Sequence, residues 1–242
     1  LIEVDSGFYH IENESWDDFI NNDQLHEAAK KAIQGLTPTS NAEELIATQL
    51  DAPMATQELW ASGVTYFRSK QGRQEESKSA GGADFYARVY EAERPELFFK
   101  ATRNRTVGSG GLVRIRKDST WDVPEPELVL LMSSSGKIIG YTIGNDMSSR
   151  SIEGENPLYL PQAKSYDGCA ALGPCILVAD QPLPKDTKID LKINRAGQQV
   201  FAGDIEINQI KRGFEELAGY LFRECSFPTG ALLMTGTGIV PD

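Results

Sequence analysis

One tightly spaced pair of carboxylates stands out in the chain, in Pro124-Glu125-Pro126-Glu127-Leu128. At i and i+2 of an extended segment, two side chains point to one face. The flanking prolines hold the segment extended and cannot donate to a ladder, which fits an edge strand or a strand start. A solvated acidic loop would show the same bare Glu-x-Glu, so the pair alone carries little. Asp146 adds weight. It ends Gly144-Asn145-Asp146, directly after the β-rich run Lys137 to Ile143, one hairpin beyond the glutamates. A lone aspartate there is ordinarily a turn residue. Neighbouring strands would instead gather three carboxylates at one end of a sheet, where they repel one another without a cation. A divalent metal resolves that repulsion, and all-oxygen ligation favours Mg²⁺, Mn²⁺ or Ca²⁺ over Zn²⁺.

Two further segments carry chemistry or its bland equivalent. Lys164 is by default a surface lysine, but near a metal and out of water its pKa would fall and it could move a proton. Thr235-Gly236-Thr237-Gly238 offers hydroxyls and close backbone approach for a carboxylate, or is an ordinary tight turn. The only histidines, His10 and His26, lie near the start, which excludes a His-rich zinc site or a Ser-His-Asp triad in the body of the chain. Cys169, Cys175 and Cys225 form no C-x-x-C pair and read as reduced, buried small side chains.

The elements that must position these residues fit one large domain with a small appendage. The chain has 242 residues, 40% hydrophobic and 24% charged, which is ordinary globular usage. Its 24 Lys and Arg against 35 Asp and Glu give a net charge of −11, which counts against nucleic acid as a partner. The longest apolar runs, Leu128 to Met132 and Cys175 to Ala179, fall far short of the ~20 residues that span a bilayer. No leader segment is evident, although the missing initiator Met leaves the true start open; a soluble, cytoplasmic protein is expected.

Residues 1–52 read as a small helical unit. Ser15 caps a helix whose apolar positions Leu25, Ala28, Ala29, Ala32 and Ile33 end at Gly35, and Ala42 to Leu50 forms a second. Residues 53–242 read as a β-rich α+β domain. Strands are expected over Leu59 to Phe67, Glu127 to Met132, Lys137 to Ile143, Ala171 to Val178, Lys188 to Ile193 and Gln198 to Ile207, with a hairpin turn at Asn194 to Gly197. Helices are expected over Asp84 to Ala92 and along the face Ile210, Phe214, Leu217, Ala218 and Leu221. The strand Leu232 to Pro241 has nothing after it to complete a sheet, so the natural chain is expected to continue past Asp242.

Taken together, Glu125-Pro126-Glu127, Gly144-Asn145-Asp146, Ala163-Lys164 followed by Gly173-Pro174, and Thr235-Gly236-Thr237-Gly238 resemble the fumarylacetoacetate hydrolase family. The order and spacing match: Glu127 two residues after Glu125, Asp146 nineteen further, Lys164 eighteen further. The resemblance runs from about Leu59 to the end of the chain. It implies a rolled mixed β-sheet, a divalent metal on Glu125, Glu127 and Asp146 (Mg²⁺, with Mn²⁺ or Ca²⁺ as alternatives), a 2-oxo acid substrate and a homodimer.

The family's hydrolases and decarboxylases carry a His-x-x-Glu dyad three and six residues after a Gly-x-Asn-Tyr. Here the segment reads Gly63-Val64-Thr65-Tyr66, and the dyad positions hold Ser69 and Gly72. The base that activates water is missing. The segment looks more like the 2-keto-3-deoxy-D-arabinonate dehydratase branch, as do Arg94-Pro-Glu-Leu-Phe-Phe-Lys100 and Ile152-Glu-Gly-Glu-Asn-Pro-Leu-Tyr-Leu-Pro161. That resemblance implies dehydration of a 2-keto-3-deoxy sugar acid through a metal-stabilised enolate, with Lys164 transferring the C3 proton. Thr235, Thr237, Arg68 and Ser69 are the expected substrate contacts. Glu75 and Glu76, in the polar and mobile Ser69 to Gly82 stretch, are candidate lid acids for the leaving group. A C–C hydrolase of a diketo acid is the alternative, and a non-catalytic keto-acid or ion-binding protein the third reading.

Overall fold

The computed structural model describes residues 1–76 and 83–241, with side chains over 1–71 and 87–241. The chain opens with a hairpin of β1 (Ile2–Val4) and β2 (Gly7–Tyr9), followed by α1 (Trp16–Ile20), α2 (Leu25–Ala32) and α3 (Ala42–Gln49). The Ser15 hydroxyl accepts from the Asp18 amide at the start of α1, and a left-handed Gly35 (φ +80°) follows the end of α2. Next come β3 (Glu58–Gly63), α4 (Phe67–Glu76), α5 (Ala83–Glu91), β4 (Glu96–Ala101), β5 (Thr106–Val107) and β6 (Asp122–Val123). The centre of the molecule is β7 (Pro126–Met132) and β8 (Ile138–Asp146), which lead to β9 (Ser148–Ser149), α6 (Arg150–Glu155) and α7 (Leu160–Lys164). The last part holds β10 (Ala170–Leu177), β11 (Lys188–Arg195), β12 (Gln198–Glu206), α8 (Phe214–Leu221) and β13 (Ala231–Met234).

Seven strands form one mixed, curled sheet in the order β4-β3-β13-β7-β8-β10-β5. The pairs β13–β3 and β10–β5 are parallel and the others antiparallel. The apolar run of β7 follows from its central place, because both of its faces are buried. Val129 and Leu131 pack with Leu59, Ala61, Leu172, Leu232 and Met234 on one side, where Ile20 and Leu25 of the N-terminal helices join them. Leu128, Leu130 and Met132 pack on the other side with Leu217, Ala218 and Leu221 of α8 and with Ile189 and Ile205 of the β11–β12 hairpin. That hairpin turns at Ala196 and Gly197, both at positive φ, as a tight two-residue turn requires.

The N-terminal helices are also fixed by polar contacts. Asp17 accepts from the Thr56 hydroxyl at 2.6 Å and from Gln57 Nε2 at 2.7 Å, and Asn21 Oδ1 accepts the Ser134 amide at 2.7 Å.

Several expectations change. The strand expected over Leu59 to Phe67 stops at Gly63, since Val64 takes a positive φ (53°) and turns the chain into α4. The stretch read as mobile from Ser69 is helical through Glu76, and residues 77–82 lie outside the described residues. The last strand, β13, ends at Met234, and the rest of the range expected to reach Pro241 is loop. Of the three cysteines expected to be buried, Cys169 is, while Cys175 and Cys225 are exposed; all three are free thiols. The strand β4, placed by no expectation, pairs with β3 and brings Lys100 to the site described next.

Candidate metal centre

The acidic pair sits at the start of a central strand, so the prolines mark a strand start and not an edge. The Asp146 amide donates to the Glu125 carbonyl at 2.9 Å, and Glu127 stands opposite Gly144 in the ladder. Glu125, Glu127 and Asp146 therefore face one side at one end of the sheet. One oxygen from each lies within 4.8 Å of the others, and the residues are 4%, 2% and 1% exposed.

Three buried cations meet these acids. Lys164, the last residue of α7, places its Nζ 2.6 Å from Glu125 Oε2 and 2.8 Å from Asp146 Oδ2. Lys100 Nζ lies 2.6 Å from Asp146 Oδ1 and donates to the Met147 and Lys164 carbonyls at 2.8 and 2.6 Å. Arg150 Nη2 pairs with Glu125 Oε1, and its Nη1 lies 3.1 Å from Oε2 of a fourth acid, Glu153. The Ser148 hydroxyl donates to Glu125 Oε2 at 2.9 Å.

Four carboxylates thus face three cations in one buried cluster. Among the described residues, Glu127 is the acid with no cation at ion-pair distance. Its Oε2 accepts the Gly236 amide at 2.6 Å. Burial, then the charges of Asp146 and Glu125, push the Glu127 carboxyl well above the ordinary glutamate range, against the pull of Lys164 and the Gly236 amide. A divalent cation would supply the missing positive charge. The donors are all carboxylate oxygens, which suits Mg²⁺, Mn²⁺ or Ca²⁺. The residues fit the metal that the spacing implied.

The remaining expected residues are placed differently from one another. Lys164 is inside the cluster. The Thr235 hydroxyl donates to the Leu128 carbonyl at 2.9 Å, and the Thr237 hydroxyl donates to the Ile239 carbonyl at 3.2 Å. Their loop reaches the acids through the Gly236 amide. Ser69 is buried, its hydroxyl donating to the Tyr66 carbonyl at 2.7 Å in the first turn of α4. Arg68 beside it is exposed. Glu75 and Glu76 close α4, and their side chains lie outside the described residues.

Sequence reasoning passed over Lys100, Arg150, Glu153 and Ser148. Some of these had a readable signal. Arg150 and Glu153 sit at i and i+3, the spacing of an ion pair on one helix face. Lys100 follows the apolar run Leu97-Phe98-Phe99, and a lysine in such a strand is buried only when paired.

Comparison with known proteins places the chain among its relatives. Residues 64–239 match the family model described as fumarylacetoacetate (FAA) hydrolase C-terminal. A probable 2-keto-3-deoxyxylonate dehydratase of Haloferax volcanii is 47% identical over 191 residues, 78% of this chain and 65% of the relative. A 2-dehydro-3-deoxy-D-arabinonate dehydratase of Saccharolobus solfataricus is 46% identical over 195 residues, 80% of this chain and 65% of the relative. This chain therefore spans just under two thirds of the length of either relative. A solved 2-keto-3-deoxy-D-arabinonate dehydratase, complexed with magnesium and 2,5-dioxopentanoate, matches with a TM-score of 0.80 and 39% identity, over 95% of this chain and 80% of that one. By the extent of the family match and by these relatives, the chain belongs to the fumarylacetoacetate hydrolase family.

Proposed function

We propose that this chain is a metal-dependent hydro-lyase that removes water from a 2-keto-3-deoxy sugar acid. The observation that carries the reading is the buried trio Glu125, Glu127 and Asp146 with Lys164 in contact, in a chain 46% and 47% identical to two sugar-acid dehydratases. The compound complexed with the solved neighbour supports it, because 2,5-dioxopentanoate is a 2-keto-3-deoxypentonate less one water.

A magnesium ion held by the trio would supply Lewis acidity toward the carboxylate and keto oxygens of a 2-oxo acid. To Lys164 we assign the C3 proton, taken up by its neutral amine and held as the ammonium that results. The C3–H electron pair becomes the C3–C4 double bond, and the C4 hydroxyl departs with a proton as water. The enone left behind isomerises through enols to the second carbonyl, at C5. Glu75 and Glu76 remain the proposed donors of the leaving-group proton. The Gly236 amide orients Glu127, while Thr235 and Thr237 hold the shape of the loop that carries it. Hydrolysis of a C–C bond would need a base aimed at water, and at the first dyad position the Ser69 hydroxyl is tied to the Tyr66 backbone. A homodimer in the cytoplasm is the proposed setting.

Proton NMR of a 2-keto-3-deoxypentonate incubated with the protein tests the reading. Conversion to the 2,5-dioxo acid with Mg²⁺, and none with EDTA, is expected. An unchanged substrate at saturating Mg²⁺ would reject it.

A further inference from the structure

Lys164 and a divalent cation compete for the same oxygens. The ammonium sits on Glu125 Oε2 and Asp146 Oδ2, which belong to two of the three acids of the trio. A cation on the trio would draw on those carboxylates, and its double charge would repel the ammonium. Lys164 then needs another partner to stay in the site.

Glu153 supplies an anionic one, beside the neutral Ser148 hydroxyl that Lys164 also meets. It is 2% exposed, and its Oε1 lies 3.4 Å from Lys164 Nζ. Its Oε2 meets Arg150 Nη1 at 3.1 Å, and the other arm of the same guanidinium meets Glu125. Lys164, Glu125, Arg150 and Glu153 thus form a closed ring of alternating charge. The planar guanidinium fixes the Glu153 carboxylate with one oxygen toward Lys164. Burying a fourth carboxylate beside three others is costly. With no metal bound it is also redundant, since Arg150 already has Glu125 and Lys164 already has Glu125 and Asp146. It becomes necessary once a cation takes those two acids.

We propose that Glu153 is the positioning residue that keeps Lys164 in the site when the metal occupies Glu125, Glu127 and Asp146. It does not bind the metal, and it acts through Lys164. The inference rests on the dehydratase reading for its kinetic consequence, but not for its physical one.

The test uses the full chain with saturating Mg²⁺ and the variant Glu153→Gln. Turnover of a 2-keto-3-deoxypentonate by the unaltered protein settles the dehydratase reading separately. In the variant, kcat should fall about 10- to 100-fold, with KM and the Mg²⁺ Kd from calorimetry each within about threefold, as expected for misplacing an acid–base group. Independently of activity, acetylation by an N-hydroxysuccinimide ester, read by peptide mass spectrometry, should modify Lys164 at least about tenfold faster in the Mg²⁺-loaded variant, because a lysine that leaves its buried site samples solvent. If the amide variant does not fold, Glu153→Asp keeps the charge, retracts the carboxylate and should show the same pattern with smaller changes. Equal protection of Lys164 in variant and unaltered protein would overturn the proposal. So would an unchanged kcat, or a weakened Mg²⁺ Kd in the variant that accounts for the kcat loss.

Discussion

Glu125 and Lys164 define the two roles that the buried cluster divides between its members. Glu125 is one of three carboxylates within 4.8 Å of one another, and Lys164 reaches it at 2.6 Å. Glu125→Gln keeps the shape and removes one charge from the trio. Mg²⁺ affinity should drop by at least about tenfold, and turnover should be lost with the fold intact. Calorimetry showing unaltered affinity would remove Glu125 from the trio. Lys164→Met should cost about 10²–10⁴-fold in turnover with metal binding largely kept, the range for a lost acid–base group. Exchange of the substrate C3 protons with deuterium should stop in the same variant, and exchange at the unaltered rate would transfer the role to Glu75 or Glu76. The acids were legible in sequence because proline spacing and one hairpin bring them together. Glu153 and Lys100 carried only local signals, an i, i+3 pair and a lysine after an apolar run; what joins them to the acids is Lys164, whose contacts to Glu125 and Lys100 span 39 and 64 positions.

At the level of elements, the loop after β13 matters as much as the acids. Gly236 has φ +91°, and a Cβ there would meet Thr65 Oγ1 at 2.0 Å and the Ser62 carbonyl at 2.9 Å. Only glycine lets the amide approach Glu127 in this way. Gly236→Ala should cost on the order of 2 kcal/mol, lowering Tm by about 4–8 °C, and should weaken Mg²⁺ binding by releasing Glu127. Equal Tm values by calorimetry would show that the loop relaxes without cost. Thr235 and Thr237 stay the proposed substrate contacts; the sequence does not show that their hydroxyls also donate to backbone carbonyls of Leu128 and Ile239. The apolar run of β7 revealed a doubly buried strand but not its neighbours. Its pairing with β13, about a hundred positions later, has no signature in local pattern.

Over the whole molecule, the surplus of buried negative charge links folding to metal and pH. The Glu127 carboxyl is raised above its unfolded value by burial and by Asp146 and Glu125. Its contribution to stability is therefore fully present below the ordinary glutamate range and is lost as pH rises toward its raised value. Mg²⁺ should reverse that loss. At a hundredfold excess over Kd the gain is about 2.7 kcal/mol, or roughly 5–11 °C in Tm for a chain of this size. Thermal scans at fixed Mg²⁺ should show a larger increase at pH 8 than at pH 5, with protons released on binding, and equal increases would contradict the charge balance described. The central claim is the reaction itself, and one comparison tests it most directly. The protein is given a 2-keto-3-deoxypentonate or an acylpyruvate, each with Mg²⁺, and the products are identified. Dehydration should exceed C–C cleavage by at least about 100-fold in kcat/KM, the least that one missing water-activating base accounts for. Efficient cleavage of the acylpyruvate, with the sugar acid left intact, would contradict it.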